Sequence, residues 1–261
     1  MAPVLWQLKA SHYNEKARWA LDYKGVAHVR RSLPPPSHQP IARKLTGTET
    51  FPVLVLDEEA IGDSTRIIAE LERRHPEPPL YPSDPGEAER ALALEDFFDE
   101  ELGPYSRMLL MHHVLPDGGL FLEVFAPGHR GPRRALARAT FPVVRRQVNA
   151  TFGIDERSVA DAFGKLRAAG ERFRAELQPS GYLVGDRFTV ADLTLAALLA
   201  PVLAPEQFPY PQAQRGHPRL APVREALAES GLSDWALDIY ARHRGSSAEV
   251  GEGREELAHG R

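Results

Sequence analysis

The spacing of apolar and polar positions divides the chain into two unlike parts, of which the first alternates strands and helices. A short apolar run at residues 4–8 is followed by helical spacing over residues 14–25. Further strand-like and helical segments follow, and a last helix begins at Ser64 and ends before Pro76. The pattern predicts the order β-α-β-α-β-β-α over the first ~75 residues, the size of one compact α/β unit. The intermediate segments are residues 28–33, 37–45, 51–57 and 60–62.

The pattern changes after a proline-rich segment. Residues 76–86 hold five prolines, a composition that favours an extended connector. Beyond it, apolar residues three or four positions apart predict helices alone. We expect an α/β domain over 1–80, a linker over 81–86, an all-helical domain over 87–243 and a disordered tail over 244–261. The predicted helices of the second domain are residues 87–110, 132–149, 157–177, 189–203 and 218–229.

Composition and charge narrow the classes of function. Hydrophobic residues make up 43 % of the 261 residues and charged residues 26 %, which is typical of a soluble globular protein. The net charge of −4 argues against a nucleic-acid partner. Neither a spanning apolar run nor a basic-then-apolar leader is recognisable, so we expect a cytoplasmic protein with no membrane partner. The chain has no cysteine, which excludes disulfides and a nucleophilic sulfur of its own, and no metal site is predicted.

Four motifs, in chain order, resemble those of cytosolic glutathione transferases, nearest to the tau-like and omega-like classes. They are the strand-to-helix turn at residues 11–21, Phe-Pro-Val-Leu at 51–54, Gly-Asp-Ser-Thr at 62–65 and the helical-domain signature at 181–193. The resemblance implies a thioredoxin-like N-terminal domain that binds glutathione as co-substrate, followed by an all-α C-terminal domain. It also implies a homodimer that acts on a small-molecule electrophile.

Ser11 is the leading catalytic candidate. From the residues alone, a hydroxyl where a strand enters a helix is either a helix cap or a donor that stabilises a bound thiolate. The resemblance aligns Ser11 with the catalytic serine of tau-like enzymes and the catalytic cysteine of omega-like ones. Without a cysteine, mixed-disulfide chemistry is not available, so serine indicates transfer onto carbon. Tyr13 is the backup hydroxyl and Asn14 a second donor. His12 is expected to be a solvated loop side chain, and the alternative is a proton acceptor for the thiol.

The resemblance also implies the glutathione-binding residues. A cis bond before Pro52 is expected to aim the backbone of Phe51 at the cysteinyl part, although an ordinary proline at a strand start is the alternative. Ser64, as a helix cap, is expected to hold the γ-glutamyl carboxylate, and Asp63 the ammonium group. Lys44 is a weak candidate for the glycyl carboxylate.

The helical domain carries the weaker predictions. By analogy the hydrophobic substrate pocket falls at Tyr105, Met108 and His112, and core packing explains these residues equally well. The acidic stretch at 95–101 is expected to be solvated or at a subunit interface, and the arginine-rich stretch at 130–146 to be an exposed face or to hold an anionic substrate. Thr189 and Asp192 form a capping-box pattern with a folding role.

Three functions follow in order of preference. The first is a glutathione transferase that activates the thiolate near Ser11 for attack on a hydrophobic electrophile. The second is a non-catalytic binding or scaffold protein with the same fold, because fold does not dictate function. The third is a glutathione-dependent peroxidase or dehalogenase, which uses the same site on a different electrophile.

Overall fold

The N-terminal domain of the computed structural model, which describes residues 2–126 and 128–251, is a four-stranded sheet with three helices. The strand order is β2-β1-β3-β4, with β1 and β2 parallel and the other two pairs antiparallel. This confirms the predicted thioredoxin-like order of elements. The elements are β1 (Val4–Gln7), α1 (His12–Tyr23), β2 (Val29–Ser32), α2 (Gln39–Thr46), β3 (Val53–Leu56), β4 (Glu59–Gly62) and α3 (Ser64–Arg74).

The C-terminal domain is helical, as predicted, but its boundaries differ from the sequence pattern. The helix expected over 87–110 begins inside the predicted linker and is divided at Gly103, because Pro104 has no N–H to continue the first helix. The helices are α4 (Pro85–Glu101), α5 (Gly103–Val114), α6 (Gly118–Phe125), α7 (Gly131–Phe152), α8 (Glu156–Glu176), α9 (Val190–Leu203), α10 (Ala221–Glu229) and α11 (Leu232–His243), with a short 3-10 helix at Pro218–Leu220. No helix within the described ranges has the length and apolarity required to cross a membrane.

Helix α9 is the centre of the molecule. Its residues from Val190 to Val202 are all buried, and it packs against α1 of the N-terminal domain and against α4, α5 and α11. The predicted capping box is confirmed at its start, where Asp192 accepts hydrogen bonds from the backbone N–H and the hydroxyl of Thr189, both at 2.9 Å. Burial raises the pKa of Asp192 to about 6. The two domains therefore share one apolar core.

The segment after α11 packs on the N-terminal domain, which differs from the expected disordered tail. Arg244 is 5 % exposed and its Nε donates to Glu15 Oε1 at 2.7 Å, while its Nη1 lies 2.8 Å from Asp22. Further on, the backbone N–H of Val250 donates to the carbonyl of His28 at 2.9 Å. The charged composition of this segment does not predict its burial. Arg244 can be buried because carboxylates distant along the chain compensate its charge. The remainder of the predicted tail, residues 252–261, lies outside the described residues.

Candidate active site at the start of helix α1

Ser11 occupies the N-cap position of α1. Its backbone is extended, with φ −85° and ψ 132°, and its hydroxyl oxygen accepts from the Asn14 backbone N–H at 3.5 Å. That distance is long for a hydrogen bond, so the capping contact is weak. The Ser11 O–H has no acceptor among the described residues. A half-buried hydroxyl proton at the positive end of a helix can therefore be donated to a bound anion.

Asn14 ties the Ser11 turn to the predicted cis-proline loop. Its Oδ1 accepts from the backbone N–H of Leu8 at 3.0 Å, and its Nδ2 donates to the carbonyl of Phe51 at 3.2 Å. The Phe51-Pro52 bond is cis, as the sequence predicted. Asn14 thus acts on the geometry of the site, since it fixes the backbone of Phe51 beside the turn that carries Ser11.

His12 and Tyr13 connect the turn to the helical domain. The expectation of a solvated His12 is wrong, because this residue is buried and its Nε2 donates to the carbonyl of Gly103 at 2.8 Å. Burial and then the charge of Arg107 lower the pKa of His12 to about 3, so the ring is neutral. The Tyr13 hydroxyl donates to the carbonyl of Asp99 at 2.7 Å, and burial raises its pKa. The hydroxyl of Tyr13, the backup candidate, is therefore already used in a hydrogen bond between the two domains.

Arg18 holds the loop that precedes Ser11. It is fully buried and ion-paired to Glu15 at 2.8 Å, and its Nη1 donates to Gln7 Oε1 at 2.7 Å. The same guanidinium donates to the carbonyls of Leu8 at 3.3 Å and Lys9 at 3.2 Å. The Leu8 carbonyl also accepts from the backbone N–H of Ser11 at 3.2 Å, so the arginine reinforces the turn that leads into Ser11. Its role could not be predicted from the sequence, since its acceptors include backbone carbonyls.

A second buried cation, Lys16, joins α1 to α3 and α4. Its Nζ lies 2.7 Å from Glu95 Oε1, donates to Thr65 Oγ1 at 2.9 Å and also pairs with Asp99. The acidic stretch of α4 is thus not a solvated face at these two positions, and burial raises the pKa of both carboxyls. The spacing of four residues between Glu95 and Asp99 is the signal that could have placed them on one face of the helix.

The predicted γ-glutamyl site lies at the start of α3, with the roles of its residues changed. Asp63, not Ser64, is the N-cap: its Oδ1 accepts from the backbone N–H groups of Thr65 at 2.9 Å and Arg66 at 3.2 Å. Ser64 is the buried first residue of the helix. Lys44 is exposed on α2 and has no hydrogen bond or ion pair in the part of the chain that the structure describes.

The three predicted pocket residues share one half-buried face of α5. Tyr105 and Met108 pack against the main core, and the Tyr105 ring lies 5.6 Å from Lys165 Nζ of α8. His112 contacts the ring of His113. The contact with Lys165 places Tyr105 beside α8, and the assignment of these three residues to a substrate pocket stays a prediction.

A different apolar surface adjoins Ser11. The buried cluster of α5 and α6 is covered by side chains from α7 and reaches Ala10, the residue before Ser11. Sequence reasoning missed this surface, because the short helix α6 was not predicted. Its buried members include Leu110, Met111, Val114, Leu120 and Phe121, with Phe141 and Phe152 of α7 packed on them.

Comparisons with known proteins agree with this architecture. The family model "Glutathione S-transferase, N-terminal domain" matches residues 5–79, and "Glutathione S-transferase, C-terminal domain" matches residues 153–226. No curated protein matches the sequence significantly.

Among solved structures, the β-etherase LigF from Sphingobium sp. strain SYK-6 has a TM-score of 0.65 at 18 % identity and covers 94 % of this chain and 97 % of its own. The transferase GSTFuA3 from Phanerochaete chrysosporium has a TM-score of 0.63 at 16 % identity, with 95 % and 99 % covered. A tau-class enzyme from mango has a TM-score of 0.57 at 15 % identity, with 92 % and 89 % covered. With both family domains in order on this fold, the chain belongs to the glutathione S-transferase family.

Proposed function

We propose that the protein is a glutathione transferase that holds the glutathione sulfur as a thiolate near Ser11 and transfers it to a hydrophobic electrophile. The observation that carries the proposal is the Ser11 hydroxyl, half-buried at the N-terminus of α1 with no protein acceptor for its proton among the described residues. A hydrogen bond and the helix dipole both favour the charged sulfur. They increase the fraction of thiolate at neutral pH, which is the nucleophilic form.

The rest of glutathione is assigned to the N-terminal domain. The backbone of Phe51 receives the cysteinyl part, and its orientation is supported by the Asn14 hydrogen bond and the cis bond to Pro52. The start of α3 receives the γ-glutamyl part, where the exposed carboxylate of Asp63 faces the ammonium and the Ser64 region faces the carboxylate. Lys44 remains the proposed partner of the glycyl carboxylate. Family membership further supports a homodimer, which light scattering on the purified protein tests.

The proposed reaction is substitution at carbon. The thiolate attacks the electrophilic carbon, a carbon–sulfur bond forms, and the leaving group departs with the electron pair of its bond. The thiol proton is lost to solvent before the attack. His12 does not take that proton, because its Nε2 already donates to Gly103 and its pKa is lowered to about 3.

The ultraviolet absorption of bound glutathione thiolate, followed against pH, tests the proposal. Ser11→Ala is expected to raise the pKa of the bound thiol by about 1–2 units, the equivalent of one hydrogen bond to a charged group. Ser158→Ala is the matched control, because it removes a hydroxyl from the N-terminus of α8 outside the site. Failure of the wild type to bind glutathione would favour the scaffold alternative, and equal pKa values in wild type and Ser11→Ala would exclude Ser11 as the donor.

A further inference from the structure

Arg107 is a partly buried cation that has no counter-ion among the described residues. Its Nε is buried and has no hydrogen-bond partner, and no carboxylate lies within ion-pair distance in residues 2–126 and 128–251. The guanidinium lies 5.0 Å from the centre of the Phe152 ring. The buried arginines 18, 30 and 244, by contrast, are each paired with a carboxylate. A cation removed from water without a partner costs free energy, so a ligand anion would be bound favourably here.

The position of Arg107 on α5 places it beside the catalytic turn. Gly103, Arg107 and Met111 are spaced by four residues and therefore share one face of the helix. Gly103 contacts Tyr13 and receives the His12 hydrogen bond, so this face is turned toward the start of α1. The charge of Arg107 also contributes to the lowered pKa of His12. The carboxylate of Asp99 on α4 is already paired with Lys16.

Arg107 also lies at the edge of the apolar surface next to Ser11. Phe152, on which its guanidinium stacks, belongs to the same cluster as Met111 and Ala10. Ala10 and Phe152 are only half-buried, so a molecule that lies against them with its reactive carbon near Ser11 would bring a polar end to the guanidinium. The arrangement suits an apolar or aromatic body with one anionic group.

We propose that Arg107 binds a carboxylate of the electrophilic substrate, so that the enzyme prefers hydrophobic electrophiles that carry a negative charge. The planar guanidinium fork matches a carboxylate with two parallel hydrogen bonds. The inference rests on the proposed transferase function and names its substrate class. Glutathione also has carboxylates, but the elements assigned to them are on the N-terminal domain, whereas Arg107 is on the helical domain.

The kinetic test uses 4-chloro-3,5-dinitrobenzoate and its methyl ester, which differ in charge. In both, the glutathione sulfur bonds to the ring carbon that bears chlorine, and chloride leaves with the electron pair. Arg107→Gln is expected to lower kcat/KM for the carboxylate by about 10-fold or more relative to the ester, the equivalent of a lost hydrogen bond to a charged group. Arg167→Gln, at an exposed position of α8 outside the arginine-rich stretch, is the matched control and should leave the ratio unchanged. An unchanged ratio in Arg107→Gln would overturn the proposal, and a raised KM for glutathione alone would reassign Arg107 to glutathione.

A calorimetric binding test without glutathione separates this inference from the proposed function. The wild type should bind 3,5-dinitrobenzoate more tightly than its methyl ester, and less tightly at high salt. Arg107→Lys keeps the charge but not the fork, so it should retain a weakened preference for the carboxylate. It replaces Arg107→Gln in this test if that variant does not fold. Binding of the carboxylate by a protein that does not bind glutathione would keep the Arg107 site and reject the transferase. Equal binding of carboxylate and ester by the wild type would reject the Arg107 site whatever the activity.

Discussion

Helices α1 and α7 both adjoin the candidate site, and they are built in opposite ways. Ten of the twelve residues of α1 are buried, most of them polar or charged, whereas α7 has no buried residue in twenty-two. Leu136 and Val143 of α7 are 66 % and 73 % exposed. The α1 side of the candidate site is thus fixed by many satisfied buried groups, and the α7 side by a few apolar contacts. Substitutions should accordingly be costly on α1 and tolerated on α7.

The largest effect is expected from Lys16→Met. The substitution leaves the buried carboxylates of Glu95 and Asp99 without their cation, and we expect the free energy of unfolding to fall by about 3–5 kcal/mol. Urea unfolding followed by circular dichroism measures this change. Arg145→Gln on exposed α7 is the control and should stay within about 0.5 kcal/mol of wild type. A loss of the same size in both variants would remove the contrast between the two helices.

The two helices also differ in what their sequences could predict. The motif at residues 11–21 located the turn and the resemblance supplied the cis bond, because both depend on local residue order. The burial of His12 could not be predicted, since its acceptor is the carbonyl of Gly103, far along the chain. Glu95, which pairs with Lys16, likewise lies on α4, and Arg244, one of the two arginines that pair with Glu15, is 229 positions away along the chain. Spacing indicates which residues share a helix face but not which distant charge that face meets.

A pH-dependent effect is expected at His12, because its pKa of about 3 in the folded protein lies below the unfolded value of about 6.5. Between these pH values the unfolded chain binds one more proton than the folded protein. The contribution of His12 to the free energy of unfolding is therefore fully present above pH 6.5 and decreases as the pH falls toward 3. The expected slope is up to about 1.4 kcal/mol per pH unit.

His12→Gln isolates this contribution. The amide keeps a donor for the Gly103 carbonyl but does not titrate. The difference in unfolding free energy between wild type and His12→Gln, measured from pH 7 to 4.5, should therefore shrink or reverse in favour of the variant as the pH falls. His28 and His113, whose pKa values burial lowers to about 4, titrate in both proteins and cancel in the difference. A difference that does not vary with pH would contradict a neutral, buried His12.

An intermediate effect is expected from Gly103→Ala at the junction of α1 and α5. The added Cβ would lie 2.2 Å from the Tyr13 hydroxyl oxygen and 3.2 Å from Leu198 Cδ2, so side chains have to move at a cost of about 1–3 kcal/mol. Gly164→Ala in α8 is the matched control, since nothing lies within 4 Å of its added Cβ. Alanine is the better helix former, so this control should be stabilised by up to about 1 kcal/mol. The same sign in both variants would argue against close packing at Gly103.

The smallest effect on stability is expected at Ser11 itself. Its hydroxyl accepts one hydrogen bond of 3.5 Å, so Ser11→Ala should cost less than the ~1 kcal/mol of an ordinary cap. Ser11→Cys sharpens the contrast, because it creates the chain's single cysteine. The N-terminus of α1 should lower the thiol pKa below the usual value of about 8.5. The rate of alkylation by iodoacetamide against pH measures that pKa, and a short cysteine peptide in solution is the comparison. A lower pKa at position 11 than in the peptide would show that the turn stabilises a negative sulfur, whereas equal values would contradict that role.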